Sequence, residues 1–186
     1  MGYSHWLARC GWVEPSEYLY ELSEKNIEGE ITTKEVEEQL DKYYKCKDRT
    51  EMVDTKECDI VSTRIVELLS EGTVSLNPSV LKSIHRYLFD GIYEFAGVFR
   101  TYNITKDEPI LNGNTVKYAN YFEMEDILEY DFTMEKKQRY STMTQEQIVK
   151  RICDFTSSVW QVHPVGEGNT RTTAVFYRVI FKQYRI

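Results

Sequence analysis

This chain has no surplus of positive charge, no long apolar run and no clustered cysteines, and each absence removes a class of protein. Lysine and arginine number 23 against 30 aspartates and glutamates, a formal net charge of −7. Nucleic-acid binders advertise a basic patch or stripe, so no nucleic-acid partner is expected. The one local cluster, Lys42, Lys45, Lys47 and Arg49, lies among aspartates and glutamates and reads as a solvated linker. Met1 to Ala8 lacks a basic start followed by an apolar stretch, and no segment is apolar enough to cross a bilayer. Neither a membrane partner nor an export signal is therefore expected, and the cytoplasm is the expected compartment. Cys10, Cys46, Cys58 and Cys153 are far apart, without metal-ligand spacing, and read as reduced thiols.

What is present is enough apolar material for one substantial core, at 41% hydrophobic and 13% aromatic residues over 186 positions. The helix signals are local and specific. Proline at position 15 and serine at 16 open a helix that Gly29 closes. Thr32 with Glu35, and Thr144 with Gln147, form capping boxes. The first precedes a helix over Val36 to Tyr44. The second precedes Ile148, Ile152, Phe155 and Val159, which recur at helical spacing. Cys46 to Asp59 is charged and glycine-free and reads as a linker. A core helix is expected over Ile60 to Ser70 and another over 81–96. Asn112-Gly113-Asn114 between Ile110-Leu111 and Thr115-Val116 signals a hairpin.

The densest chemistry lies in His163-Pro164-Val165-Gly166-Glu167-Gly168-Asn169-Thr170-Arg171, between the second capped helix and the apolar run Ala174 to Phe181. A helix start offers unpaired N–H groups and partial positive charge, so a Gly-Asn-Thr turn there can fold around phosphate oxygens. Gly168 lets the backbone approach a ligand, Asn169 and Thr170 add donors, and Arg171 adds a fork of donors. Glu167 can hold a divalent cation bridging phosphates. His163 is then placed to take a proton from an attacking hydroxyl. His85, among Ile84, Tyr87 and Leu88, reads as a structural hydrogen-bonding group, and His5 lies near a terminus.

This ordered set resembles the signature of the Fic family, His-Pro-Phe-x-Glu/Asp-Gly-Asn-Gly-Arg-x-x-Arg. The resemblance extends to Leu81 to Arg100, similar to the family's early core helix and its aromatic-glycine-arginine ending. Tyr102 to Lys106 and Glu108-Pro109-Ile110-Leu111 resemble the family's hairpin flap. It implies an all-α, Fic-type helical bundle over residues 61–186, with a small β-hairpin flap and an N-terminal helical pair. The activity it implies is transfer of AMP from ATP to a hydroxyl side chain of a target protein. It also implies ATP and Mg2+ as cofactors and a target held as an added strand at Glu108, Pro109, Ile110 and Leu111. His163 would be the base, Glu167 the magnesium ligand, and Gly166, Gly168, Asn169, Thr170 and Arg171 the nucleotide contacts.

Three residues depart from the family pattern: Val165 replaces phenylalanine, Thr170 the third glycine and Ala174 the second arginine. Residues 1–47 resemble the antitoxin partners of bacterial Fic toxins, joined through a linker at 48–60. There Cys10 stands where the antitoxin has its inhibitory glutamate, and Ala174 where that glutamate's arginine partner belongs, so both halves of the regulatory ion pair are absent. Two alternatives stand beside adenylyl transfer: a non-catalytic, nucleotide- or partner-binding scaffold, and transfer from a different nucleotide donor. The family also includes secreted effectors. The chain ends soon after the motif helix, so no C-terminal inhibitory helix is expected. The pattern fixes no oligomeric state.

Overall fold

The computed structural model describes residues 13–46, 53–71, 74–107, 112 and 115–184. The elements follow in the order α1 Glu17–Ile27, α2 Thr33–Lys45, α3 Val53–Glu71, α4 Ser79–Phe89, β1 Thr105–Asp107, β2 Thr115–Lys117, α5 Met124–Lys136, α6 Gln145–Val162 and α7 Asn169–Tyr184. The fold is all-α with one small hairpin, as the sequence implies. No helix among the described residues is long and apolar enough to cross a membrane.

Caps set several of the boundaries. The Ser16 hydroxyl accepts from the Leu19 N–H and starts α1. Both capping boxes form, at Thr32–Glu35 and at Thr144–Gln147. Gly29 closes the first helix at φ +78, a backbone state that costs glycine little. The strands pair antiparallel with Thr105 opposite Lys117 and Asp107 opposite Thr115, and Asn112 between them turns at φ 51.

Two boundaries differ from the sequence reading. The helix expected over 81–96 stops at Phe89. Gly91 turns at φ +73, and the Arg64 guanidinium donates to the carbonyls of Leu88 and Asp90 at 3.1 and 2.8 Å. That cation satisfies acceptors at the helix end and complements its dipole. The charged stretch read as a linker over Cys46 to Asp59 is helical from Val53 onward. Glu57 and Asp59 within it are partnered rather than solvated, so hydropathy alone misassigned them.

The main core joins α3, α4, α5, α6 and α7 through residues such as Ile65, Leu81, Leu88, Leu128, Val159 and Phe176. A smaller cluster, Leu19, Leu22, Val36, Leu40 and Tyr44, lies between α1 and α2. This N-terminal pair docks on α3 through α2, and α3 packs in turn against α4 and α7, which pack on each other.

The docking point is Asp59, fully buried. It accepts from the Ser16 N–H at 2.9 Å, the Ser16 hydroxyl at 2.5 Å and the Tyr44 hydroxyl at 2.6 Å. Burial outweighs these bonds and raises the Asp59 pKa above its ordinary value. A carboxyl that binds its proton more tightly when folded stabilises the fold most below its unfolded pKa. That contribution is lost as pH rises through the folded pKa. Denaturation curves from about pH 4 to about pH 7 should show the wild type losing stability relative to Asp59→Asn. A difference that stays constant, or runs the other way, contradicts this account of Asp59.

Candidate active site

The nine-residue segment forms the connection between α6 and α7, with its last three residues in the first turn of α7. His163 caps the C-terminus of α6 in the left-handed region, φ 52 and ψ 61. That conformation costs a side-chain-bearing residue roughly 1–2 kcal/mol, and a following proline makes helical geometry less accessible still. Arg100 holds it there. The Arg100 N–H donates to Pro164 O at 2.9 Å. Its guanidinium donates to the carbonyls of His163, Tyr102, Ala119 and Val162 at 2.9, 2.7, 2.5 and 3.2 Å. Arg100 is 5% exposed, so a buried cation sits where the carbonyls of α6 converge, which the helix dipole favours.

The imidazole of His163 is fixed on two sides. Its Nδ1 lies 3.3 Å from Trp160 O. A carbonyl can only accept, so this contact puts the proton on Nδ1 and leaves Nε2 as the lone-pair nitrogen. The Tyr118 ring stacks on it, centroids 4.1 Å apart and planes 23° apart. Burial, with Lys106 and Arg100 adding to it, lowers the His163 pKa below 6.5 despite the raising effects of Trp160 O and Glu167. The ring is therefore neutral at pH 7 and available as a base.

The turn beyond it is braced from within. The Asn169 side chain accepts from the Val165 N–H at 3.0 Å and donates to Val165 O at 2.7 Å. Asn169 is buried and Val165 lies in the main core. The Asn169 side chain is thus spent on the loop, leaving its backbone N–H for a ligand. Gly168 takes φ +78, and a Cβ there would lie 2.5 Å from the Phe89 ring, so the position excludes a side chain twice over. A Cβ at Gly166 would lie 2.7 Å from the Tyr102 hydroxyl.

His85 ties this turn to the rest of the core. Its Nδ1 accepts from the Gly97 N–H at 2.8 Å, so Nε2 carries the proton and donates to Glu167 O at 3.0 Å. Burial lowers its pKa. His85 is the structural group the sequence suggested.

The first inward backbone bond of α7 runs from Thr172 N–H to Gly168 O at 3.0 Å, so the N–H groups of Asn169, Thr170 and Arg171 have no acceptor within the helix. Unpaired N–H groups at a helix start can receive an anion. Thr170 is exposed on its rim. The Glu167 carboxylate is exposed and accepts from the Gly168 N–H at 2.9 Å. One accessible carboxylate beside a phosphate cradle fits Mg2+, which is held by one or two carboxylates together with substrate phosphates and water. Ala174 lies within α7, half-buried. Glu108, Pro109, Ile110, Leu111 and Cys10 lie outside the described residues.

A protein-family model, the Fic/DOC family, matches residues 75–181 and includes this loop. The chain belongs to the Fic/DOC family. It is 27% identical over 139 residues to a probable protein adenylyltransferase (y4lH) of Sinorhizobium fredii, covering 72% of this chain and 69% of that protein. It is similar in fold to the N-terminal Fic domain of a VirB-translocated Bep effector protein from Bartonella sp. AR 15-3, with TM-score 0.58 and 18% identity. That match covers 72% of this chain, and the chain spans 64% of the length of that Fic domain chain. The Fic match begins after α3, so the N-terminal pair and α3 lie ahead of it.

Sequence reasoning singled out the residues of the Fic loop but missed the groups that hold them. Arg100 was visible only as the end of a resembling segment, and Tyr118 was not singled out. Glu57, which accepts from the Arg171 guanidinium, was part of the supposed linker. The chain after β2 becomes helical only at Met124. Tyr121 and Phe122 are exposed ahead of it.

Proposed function

We propose that this Fic protein transfers an adenylyl group from ATP to a hydroxyl side chain of a target protein. The observation that supports the reading most is the pairing of a neutral imidazole, its Nε2 unoccupied, with a helix-start phosphate cradle one short loop away. His163 Nε2 accepts the proton of a serine, threonine or tyrosine hydroxyl. That oxygen forms a bond to the α-phosphorus, the bond from phosphorus to the bridging oxygen breaks, and pyrophosphate leaves. The N–H groups of Asn169, Thr170 and Arg171 and the Arg171 guanidinium receive the developing charge. Glu167 would hold Mg2+, which neutralises phosphate charge when bound. The target would bind along the hairpin as an added strand, at Glu108 to Leu111.

The lowered His163 pKa gives a pH signature. A base is active when deprotonated, so kcat/KM should be level from about pH 8 to about pH 6.5 and fall below it. An acid limb centred above pH 7 assigns the base elsewhere. Mass spectrometry of lysate proteins after incubation with the protein, ATP and magnesium tests the function itself. Adenylylated peptides should appear with the wild type and not with His163→Ala. Their absence from both contradicts the proposal.

A second reading, transfer from a different nucleotide donor, is favoured by one observation: Ala174 offers no cation for an outermost phosphate. Competition among nucleoside triphosphates and diphosphates in the transfer assay separates the two. The N-terminal pair is read as an antitoxin-like unit. Its docking at Asp59, two residues from the Arg171 partner Glu57, supports a regulatory position.

A further inference from the structure

Arg171 is the site's only motif arginine, and its side chain is already seated. Its Nη2 donates to Glu57 Oε1 at 2.5 Å, the same oxygen that accepts from the Tyr93 hydroxyl at 2.8 Å. The guanidinium lies over the Phe89 ring, 4.7 Å from its centroid, and that ring is the one Gly168 packs against. Phe89 in turn stacks on Tyr93 at 5.0 Å. A carboxylate, a phenol and an aromatic face thus fix the arginine relative to the loop amides, and one ring sets the level of both.

We propose that Glu57 is a positioning residue that holds the Arg171 guanidinium ready for a phosphate oxygen. Three physical arguments carry this. A free arginine surrenders rotamer entropy when it is fixed, and a seated one has surrendered it on folding. Guanidinium has five donors, and among the described residues only Nη2 has a hydrogen-bond partner, so other donors remain for a ligand. The ion pair has side-chain exposures of 15% and 19%, and a pair this desolvated is weak evidence for stability. Orientation is the more direct use of it. A carboxylate beside a polyanion site would otherwise repel the ligand, and the pairing offsets that charge. The proposal rests on the adenylyl-transfer reading for its kinetic arm only; its binding arm needs no turnover.

The test compares Glu57→Gln, Glu57→Asp and Glu57→Ala with the wild type, each checked for folding by thermal melting. Glutamine keeps an oxygen that can accept from both Arg171 and Tyr93. Aspartate keeps the charge but falls short by one methylene. ATP and adenosine binding are read by calorimetry, and transfer by kcat/KM. Glu57→Gln should stay within about threefold of wild type, whereas Glu57→Asp and Glu57→Ala should lose about tenfold to a hundredfold in ATP affinity and kcat/KM. Adenosine affinity should not change. Equal loss of ATP and adenosine binding, loss in Glu57→Gln matching Glu57→Ala, or higher activity in Glu57→Ala would each overturn it, the last by making Glu57 a competitor for Arg171. If transfer depends on His163 and Glu57→Ala behaves as wild type, this inference fails while the function stands. If ATP binding follows the expected order but no chain transfers label, the reverse holds.

Discussion

His163→Ala should lose about two to four powers of ten in transfer rate while its ATP affinity changes by less than about threefold. The His163 ring makes its polar contact through Nδ1 to Trp160 O and its apolar one to Tyr118, so Nε2 is the atom left to act. The N–H groups proposed to hold phosphate belong to the residues after it, at the start of α7. Removing the imidazole takes away proton transfer and leaves the cradle, which separates kcat from nucleotide binding. Single-turnover rates with saturating ATP, together with calorimetric ATP titration, check both halves. Loss of binding in parallel with rate would show that His163 shapes the loop, and an unchanged rate would place the base on another residue.

Arg100→Ala should be the most damaging substitution for stability near the site. It strips partners from four carbonyls around the loop at once: His163, Tyr102, Ala119 and Val162. Each carbonyl that stays out of reach of water costs roughly 1–3 kcal/mol, so two such groups already imply a loss of about 3 kcal/mol. For a chain of this size that lowers Tm by roughly 6–12 °C. His163 would also lose the clamp that keeps it in the left-handed region, so activity should fall even below the new Tm. Lysine should rescue little, because one ammonium group cannot span carbonyls arranged around a planar fork. Thermal melts of Arg100→Ala and Arg100→Lys test this, and a shift under about 2 °C in the alanine variant contradicts it.

What was legible in the sequence is what is encoded locally. Thr32 with Glu35 and Thr144 with Gln147 complete their boxes within one helical turn, and both were read correctly. The loop from His163 to Arg171 is contiguous, so its residue types and order were visible without coordinates. What escaped depends on partners far along the chain. Glu57 meets Arg171 across 114 positions, and Asp59 meets Ser16 across 43. Read locally, both belong to a charged, glycine-free stretch that looks like solvent-facing chain. The end of α4 was misplaced for the same reason, since the Arg64 fork that caps it comes from 24 positions away. Buried charge defeats hydropathy because its compensation is tertiary.

The central claim is that the loop directs attack at the α-phosphorus of a nucleotide. Parallel incubations of the protein with lysate and magnesium, one with ATP labelled at the α-phosphate and one at the γ-phosphate, test it most directly. The account predicts protein-bound label from the α-position alone, abolished in His163→Ala. Label from the γ-position, or none from either, contradicts it.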